Sequence, residues 1–195
     1  VRTRHELLVY DTGPSWGPEG DAGSRHVLPL LRRRGETRID RLVLSHRDID
    51  HVGGAAALID ALPVRELASS LEDGHPLRAR AAARGARVRP CVAGEAWRGD
   101  GVDFPFLHPP AELLRAAASS ADTGATTGSP VRPPKPNALS CVLRVRDAGG
   151  ATVLLTGDIE AAQEAALVAQ AGWAAQPVQA GQDHEPAPGG PDLRA

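Results

Sequence analysis

The stretch Arg41-Leu42-Val43-Leu44-Ser45-His46-Arg47-Asp48-Ile49-Asp50-His51-Val52-Gly53-Gly54 decides how the rest of the chain is read. Its first part is an unbroken apolar run, which suits a strand buried on both faces. Its second part places two imidazoles and two carboxylates between positions 46 and 51. In α/β sheets, the loops leaving the carboxyl ends of strands are where sites are built. Imidazole nitrogen and carboxylate oxygen together suit one or two divalent cations. Gly53-Gly54 then lets the backbone turn tightly into a helix. The plainer reading is a polar loop in which Asp50 caps that helix. So many metal-binding side chains directly after a buried strand favour the metal reading.

Working outward, the pattern alternates strands with helices, which predicts an α/β fold. Residues 5–11 read as a short buried strand closed by the turn Thr12-Gly13-Pro14. Residues 14–24 read as a loop, and a helix from Ser24 stops at Gly35. Arg32-Arg33-Arg34 fall in its last turn, where cations suit the helix dipole. Helices are predicted over 54–62, 76–85 and 159–170, and strands over 64–68, 88–92, 95–98, 102–107, 139–146 and 152–156. Gly149-Gly150 marks the hairpin joining the last two strands. Residues 115–136 lose periodicity and read as a mobile loop with a short helix at its start. The domain is expected over 1–172, with a linker-like or disordered tail over 173–195.

Composition limits the function classes. A chain of 195 residues is one domain, long enough to bury a core. A formal charge of −2 excludes a generally basic nucleic-acid coat protein. Mean hydropathy is −0.24, and no apolar run approaches the ~18–20 residues that span a bilayer. Cys91 and Cys141 lie outside any Cys-x-x-Cys pair and are expected to be free core residues. The chain contains no methionine and opens on Val1, which suggests an excerpt of something longer. Lys135 is its only lysine.

Ser45-His46-x-Asp48-x-Asp50-His51-x-Gly53-Gly54 resembles the His-x-His-x-Asp-His motif of the metallo-β-lactamase fold, with aspartate in place of the second histidine. Further motifs follow the same order. They are Asp11-Thr12-Gly13-Pro14, Asp21-Ala22-Gly23, Leu28-Pro29-x-Leu31-Arg32-x-x-Gly35, Ile39-Asp40-x-Leu42, Asn137-x-x-Ser140-Cys141-Val142-Leu143 and Leu154-Leu155-Thr156-Gly157-Asp158-Ile159-Glu160. Together they resemble the C-terminal metallo-β-lactamase-like domain of the ComEC competence family, over most of residues 5–171. The resemblance implies a partial metallo-β-lactamase fold, an αββα sandwich of which the first half and the start of the second are present.

The resemblance also implies a ligand set. His46, Asp48 and His108 would serve one metal ion, Asp50 and His51 the second, and Asp158 would bridge them. Asp50 and His51 would take part directly in catalysis, and Asp11 would orient ligands from beneath. His108 could instead be a satisfied strand-end histidine, and Asp158 could cap the helix after it. The family pattern continues into a His-His-Gly-Ser motif that supplies a further ligand, so one ligand is expected beyond residue 195. His184, in a linker-like context, is not taken as that ligand.

The implied chemistry is metal-dependent hydrolysis of a phosphodiester in DNA, single-stranded or duplex, during natural competence. Two divalent ions are expected, with Mn²⁺ favoured over Zn²⁺ because Asp48 makes the first site harder. Arg47 is the candidate phosphate contact. Arg78, Arg80, Arg84, Arg87 and Arg89 form a denser basic stretch that a solvated face also explains. No aromatic platform for bases is evident, since Phe, Trp and Tyr make only 3%. The expected partners are DNA and a membrane-embedded channel in the same polypeptide, with no membrane insertion by this segment itself. The expected location is a soluble domain of a bacterial inner-membrane protein. The rivals are a hydrolase of the same fold acting on a lactone, thioester or small phosphodiester, and a degenerate domain that only binds DNA or braces a channel.

Overall fold

A computed structural model describes residues 1–122 and 134–170. The strands β1 (Leu8–Tyr10), β2 (Ile39–Leu44), β3 (Val64–Ser69) and β4 (Arg87–Pro90) form a parallel sheet in sequence order. Helices α1 (Leu28–Arg33), α2 (Ile49–Val52), α3 (Ala55–Ala61) and α4 (Pro76–Ala83) lie in its connections. The apolar run of β2 explains its central place. Leu42 and Leu44 point into the cluster shared with α1, α3 and α4, while Val43 points into a second cluster on the opposite face. All three are fully buried, and each such side chain contributes about 1.5–3 kcal/mol.

The second sheet is antiparallel, in the order β5 (Ala96–Gly99), β6 (Val102–His108), β7 (Val142–Arg146), β8 (Thr152–Leu155). Its inner face supplies Phe104, Phe106, Leu143 and Val145 to the cluster between the sheets, where they meet Leu8, Val43 and Ala68. Two helices accompany this half, α5 (Ala111–Asp122) and α6 (Ala161–Gln170). The layering is that of the expected α/β sandwich. Among the described residues no helix is long and apolar enough to cross a membrane.

Three expectations need correction or restriction. Cys91 and Cys141 are not free, because they form a disulfide with their α-carbons 5.9 Å apart. Cys91 follows β4 and Cys141 precedes β7, so the bond ties one sheet to the other. A separation of 50 residues hides that meeting from any local reading. Residues 115–122, expected as the start of a mobile loop with a short helix, belong to α5, which begins at Ala111 and runs through Asp122. Residues 123–133 of the expected loop lie outside the described residues, as do the expected tail and His184. The strand expected from residue 139 starts at Val142, after a 3-10 turn at Asn137–Leu139.

Candidate metal centre

The loop after β2 is held in place by the end of β1. Asp11 has φ +55°, a left-handed conformation that aspartate tolerates better than most residues. Its carboxylate accepts the Ser45 N–H and the Ser45 hydroxyl, both at 2.7 Å, and lies 2.8 Å from His51 Nδ1. Thr12 donates through its N–H (2.8 Å) and hydroxyl (2.9 Å) to the His51 carbonyl. Gly54 is required by close approach, because a Cβ there would sit 2.3 Å from the Gly23 nitrogen.

These contacts set the tautomers. A carboxylate only accepts, so His51 Nδ1 carries its proton toward Asp11 and leaves Nε2 with a lone pair. The single Ser45 hydroxyl proton is given to Asp11. His46 Nδ1, 2.9 Å from that hydroxyl oxygen, must therefore donate to it. His46 Nε2 is then an unprotonated buried nitrogen, and it has no hydrogen-bond partner among the described residues. His108 Nδ1 lies 2.9 Å from the Ser140 carbonyl oxygen, which only accepts, so its lone pair also resides on Nε2. Three imidazoles are thus held with Nδ1 engaged and Nε2 offered, the arrangement typical of metal-ligating histidines.

The carboxylate closest to His51 Nε2 is that of Asp158, on the loop after β8. Donor atoms of His46, His51 and Asp158 all lie within 4.8 Å of one another, and His51 Nε2 is 3.2 Å from Asp158 Oδ1. Asp48 Oδ2 stands 3.5 Å from His46 Nε2, and Asp50 Oδ2 stands 3.7 Å from His51 Nε2. Asp48 occupies the N-cap position of α2 without a side-chain capping bond, and its carboxylate is turned to His46 instead. Asp50 lies within α2 and does not cap the helix after it. His108 is buried at the end of β6 and falls outside the tight group of three. The orphaned His46 nitrogen and the mixed nitrogen and oxygen donors fit a divalent cation.

Electrostatics follow the same contacts. Burial lowers the pKa of His46, aided by the neighbouring His51. Burial would also lower His51, but the hydrogen bond to Asp11 and the charges of Asp11, Asp158 and Asp50 outweigh it and raise the value. Burial lowers His108, with the Ser140 carbonyl opposing. The Tyr10 hydroxyl donates to the Cys141 carbonyl at 2.5 Å, and burial together with the charge of Asp11 pushes its pKa up.

A cleft of about 940 Å³ opens beside His46 and Arg47, with Ser70, Leu71, Arg78 and Leu114 among its walls. Arg47 is exposed and makes no ion pair or hydrogen bond among the described residues. The denser basic stretch is committed elsewhere. Arg80 pairs with Asp60, Arg84 donates to the Ile59 and Asp60 carbonyls, Arg87 and Arg89 pair with Glu66, and Arg78 pairs with Asp73. Sequence reading assigned no role to Ser45, Ser140 or Tyr10. Both serines stand inside quoted motifs, which was the available signal.

The chain is 34% identical over 157 residues to Recombination protein 2 of Haemophilus influenzae, covering 80% of the chain and 16% of that protein. It is 35% identical over 172 residues to Competence protein ComA of Neisseria gonorrhoeae, covering 88% of the chain and 20% of that protein. The chain therefore spans a fifth or less of the length of these relatives. Among solved structures, a metallo-β-lactamase with a HARLDQ motif from Cronobacter sakazakii aligns with a TM-score of 0.49 at 18% identity, covering 80% of this chain and 50% of that one. A family model described as the metallo-β-lactamase superfamily matches residues 1–190. The chain belongs to the metallo-β-lactamase superfamily, whose fold implies divalent-metal binding.

Proposed function

We propose that the chain is the metal-dependent phosphodiester hydrolase part of a DNA-uptake protein that works in natural competence at the bacterial inner membrane. The single observation that carries the hydrolytic reading is the buried His46 Nε2, without a hydrogen-bond partner among the described residues, on a side chain whose donor atom lies within 4.8 Å of those of His51 and Asp158. The competence and recombination relatives support DNA as the substrate.

His46, Asp48 and His108 would hold one ion, Asp50 and His51 a second, with Asp158 between them. The chemistry such ions supply is neutralisation of charge on a phosphodiester oxygen and activation of water as a nucleophile. The chain's own residues prepare for it. Asp11 keeps the proton of His51 on Nδ1 and so presents Nε2 inward. Asp50 and His51, together at the start of α2, form the catalytic side of the site. Arg47, free of internal partners among the described residues, contacts a substrate phosphate at the mouth of the cleft. Three aspartates beside the histidines favour the harder Mn²⁺ over Zn²⁺.

DNA cleavage by chelator-treated protein after adding each metal tests this, in the chain and in the longest natural polypeptide that contains it. Cleavage should return more strongly with Mn²⁺, and His46→Ala and Asp158→Asn should abolish both metal uptake and cleavage. Best cleavage with Zn²⁺ and none with Mn²⁺ would overturn the metal preference. Equal turnover by wild type and both variants would overturn the nuclease reading in favour of a domain that only binds or braces.

A further inference from the structure

Ser140 is fully buried, and it touches candidate ligands from three different strand ends. Its hydroxyl oxygen accepts the Asp158 N–H at 3.2 Å, from the loop after β8. The same oxygen lies 3.3 Å from His46 Nδ1, on the loop after β2 in the other sheet. Its carbonyl accepts from His108 Nδ1 at 2.9 Å, at the end of β6. One residue thus sets histidines of both sheets and the proposed bridging aspartate in a common frame.

The residue is itself firmly held. Its N–H donates to the Asn137 carbonyl at 3.0 Å, and the next residue, Cys141, donates its N–H to the Ser45 carbonyl at 2.9 Å. Cys141 is also bonded to Cys91 and accepts the Tyr10 hydroxyl. On the other side, a Cβ at Gly157 would lie 3.0 Å from Ser140 Cβ and 3.1 Å from its Oγ. The close approach leaves no room for a side chain at Gly157, and the polar neighbours of Ser140 meet its oxygen.

We infer that Ser140 is a positioning residue, and that its hydroxyl and carbonyl hold His46, Asp158 and His108 in register for metal binding across the two sheets. This rests on the metal-site reading above. The inference adds that the geometry of the site depends on a side chain outside the ligand set.

Co²⁺ is a suitable probe, because its visible absorption reports ligand geometry independently of turnover. The full chain is titrated with Co²⁺ alone, as wild type, Ser140→Ala and Ser69→Ala. Ser140→Ala keeps the carbonyl but removes the hydroxyl. It should shift the Co²⁺ spectrum and weaken binding by about 10-fold or more, as loss of a group that orients ligands does. Ser69 is the control, being equally buried with a hydroxyl that has no hydrogen-bond partner among the described residues. Its variant should match wild type. Identical spectra and affinities for wild type and Ser140→Ala would overturn the inference and leave the metal site standing. Equal losses in both variants would also overturn it, as a general effect of truncating a buried serine. Failure of the wild type to take up Co²⁺ would overturn the metal-site reading and this inference with it. Should Ser140→Ala not fold, ¹⁵N spectra of wild-type histidines decide instead. A proton on Nδ1 of His108, the nitrogen that Ser140 alone engages, is expected, and a proton on its Nε2 would overturn the inference.

Discussion

Gly157 shows how one residue can control the site without touching a metal. It has φ +55°, and a Cβ there would meet Ser45 Cβ at 2.9 Å and Ser140 Cβ at 3.0 Å. Any side chain would push the Asp158 loop away from the two serines that hold the histidines. Gly157→Ala should therefore cost about 1–3 kcal/mol, combining left-handed strain with overpacking, and should lower metal uptake. Denaturant unfolding and metal analysis of the variant check this, and wild-type behaviour in both would refute the close approach. The sequence marked Gly157 within Thr156-Gly157-Asp158 but could not name its neighbours, which come from residues more than 100 and about 17 positions away along the chain.

At the scale of elements, the parallel sheet is braced by Glu66 at the middle of β3. Glu66 is buried and faces Arg41 on β2 and Arg87 on β4 as register partners, with Arg89 beside them. The Arg41 guanidinium lies 4.2 Å from the centre of the Trp97 ring on β5, which carries the brace to the second sheet. Burial alone would raise the pKa of Glu66. Hydrogen bonds from Arg89 and Arg87 and the charge of Arg41 reverse that and lower it below its ordinary 4.5. A carboxyl depressed in the folded state stabilises the fold above the ordinary value and loses that contribution as pH falls through the depressed one. Thermal stability should thus decline on acidification below about pH 4.5, and Glu66→Gln should flatten this part of the profile. At neutral pH the substitution should cost about 1–3 kcal/mol, because three guanidiniums lose their shared anion. A pH series of thermal melts on both proteins measures both effects, and superimposable profiles would refute the role of Glu66. Arg87 and Arg89 belong to the basic stretch that the sequence left open between DNA contact and a plain surface. Strand register, invisible in a charge pattern, spends them on Glu66.

For the molecule as a whole, the Cys91–Cys141 bond joins the two sheets, and Cys141 donates its N–H to the carbonyl of Ser45, the residue before His46. Closing a loop of this length stabilises a fold by about 2–4 kcal/mol, chiefly by restricting the unfolded chain. Reduction, or the double variant Cys91→Ala/Cys141→Ala, should lower the melting temperature by several degrees. A thiol count should rise from none to two on reduction of the denatured chain. Unchanged melting after complete reduction would show that the sheets hold together without the bond. Such bonds persist in oxidising compartments, so protein recovered from a reducing cytosol should carry two thiols and melt at the lower temperature.

Local features were legible along the chain. The alternation of strands and helices, the buried run of β2 and the His46–His51 loop are set by spacing within a few residues, so they read directly from the chain. Asp11, His108 and Asp158 could be named only because ordered motifs stood in for the missing distances. Tertiary structure alone decided which atoms meet. It joined Cys91 to Cys141, paired Arg87 and Arg89 with Glu66, and brought Ser140 and Gly157, at the ends of second-sheet strands, against the histidine loop of the first. The physical reason is that such contacts depend on sheet register and on the packing of one sheet over the other. Both are cooperative properties of the folded chain, without a local signature.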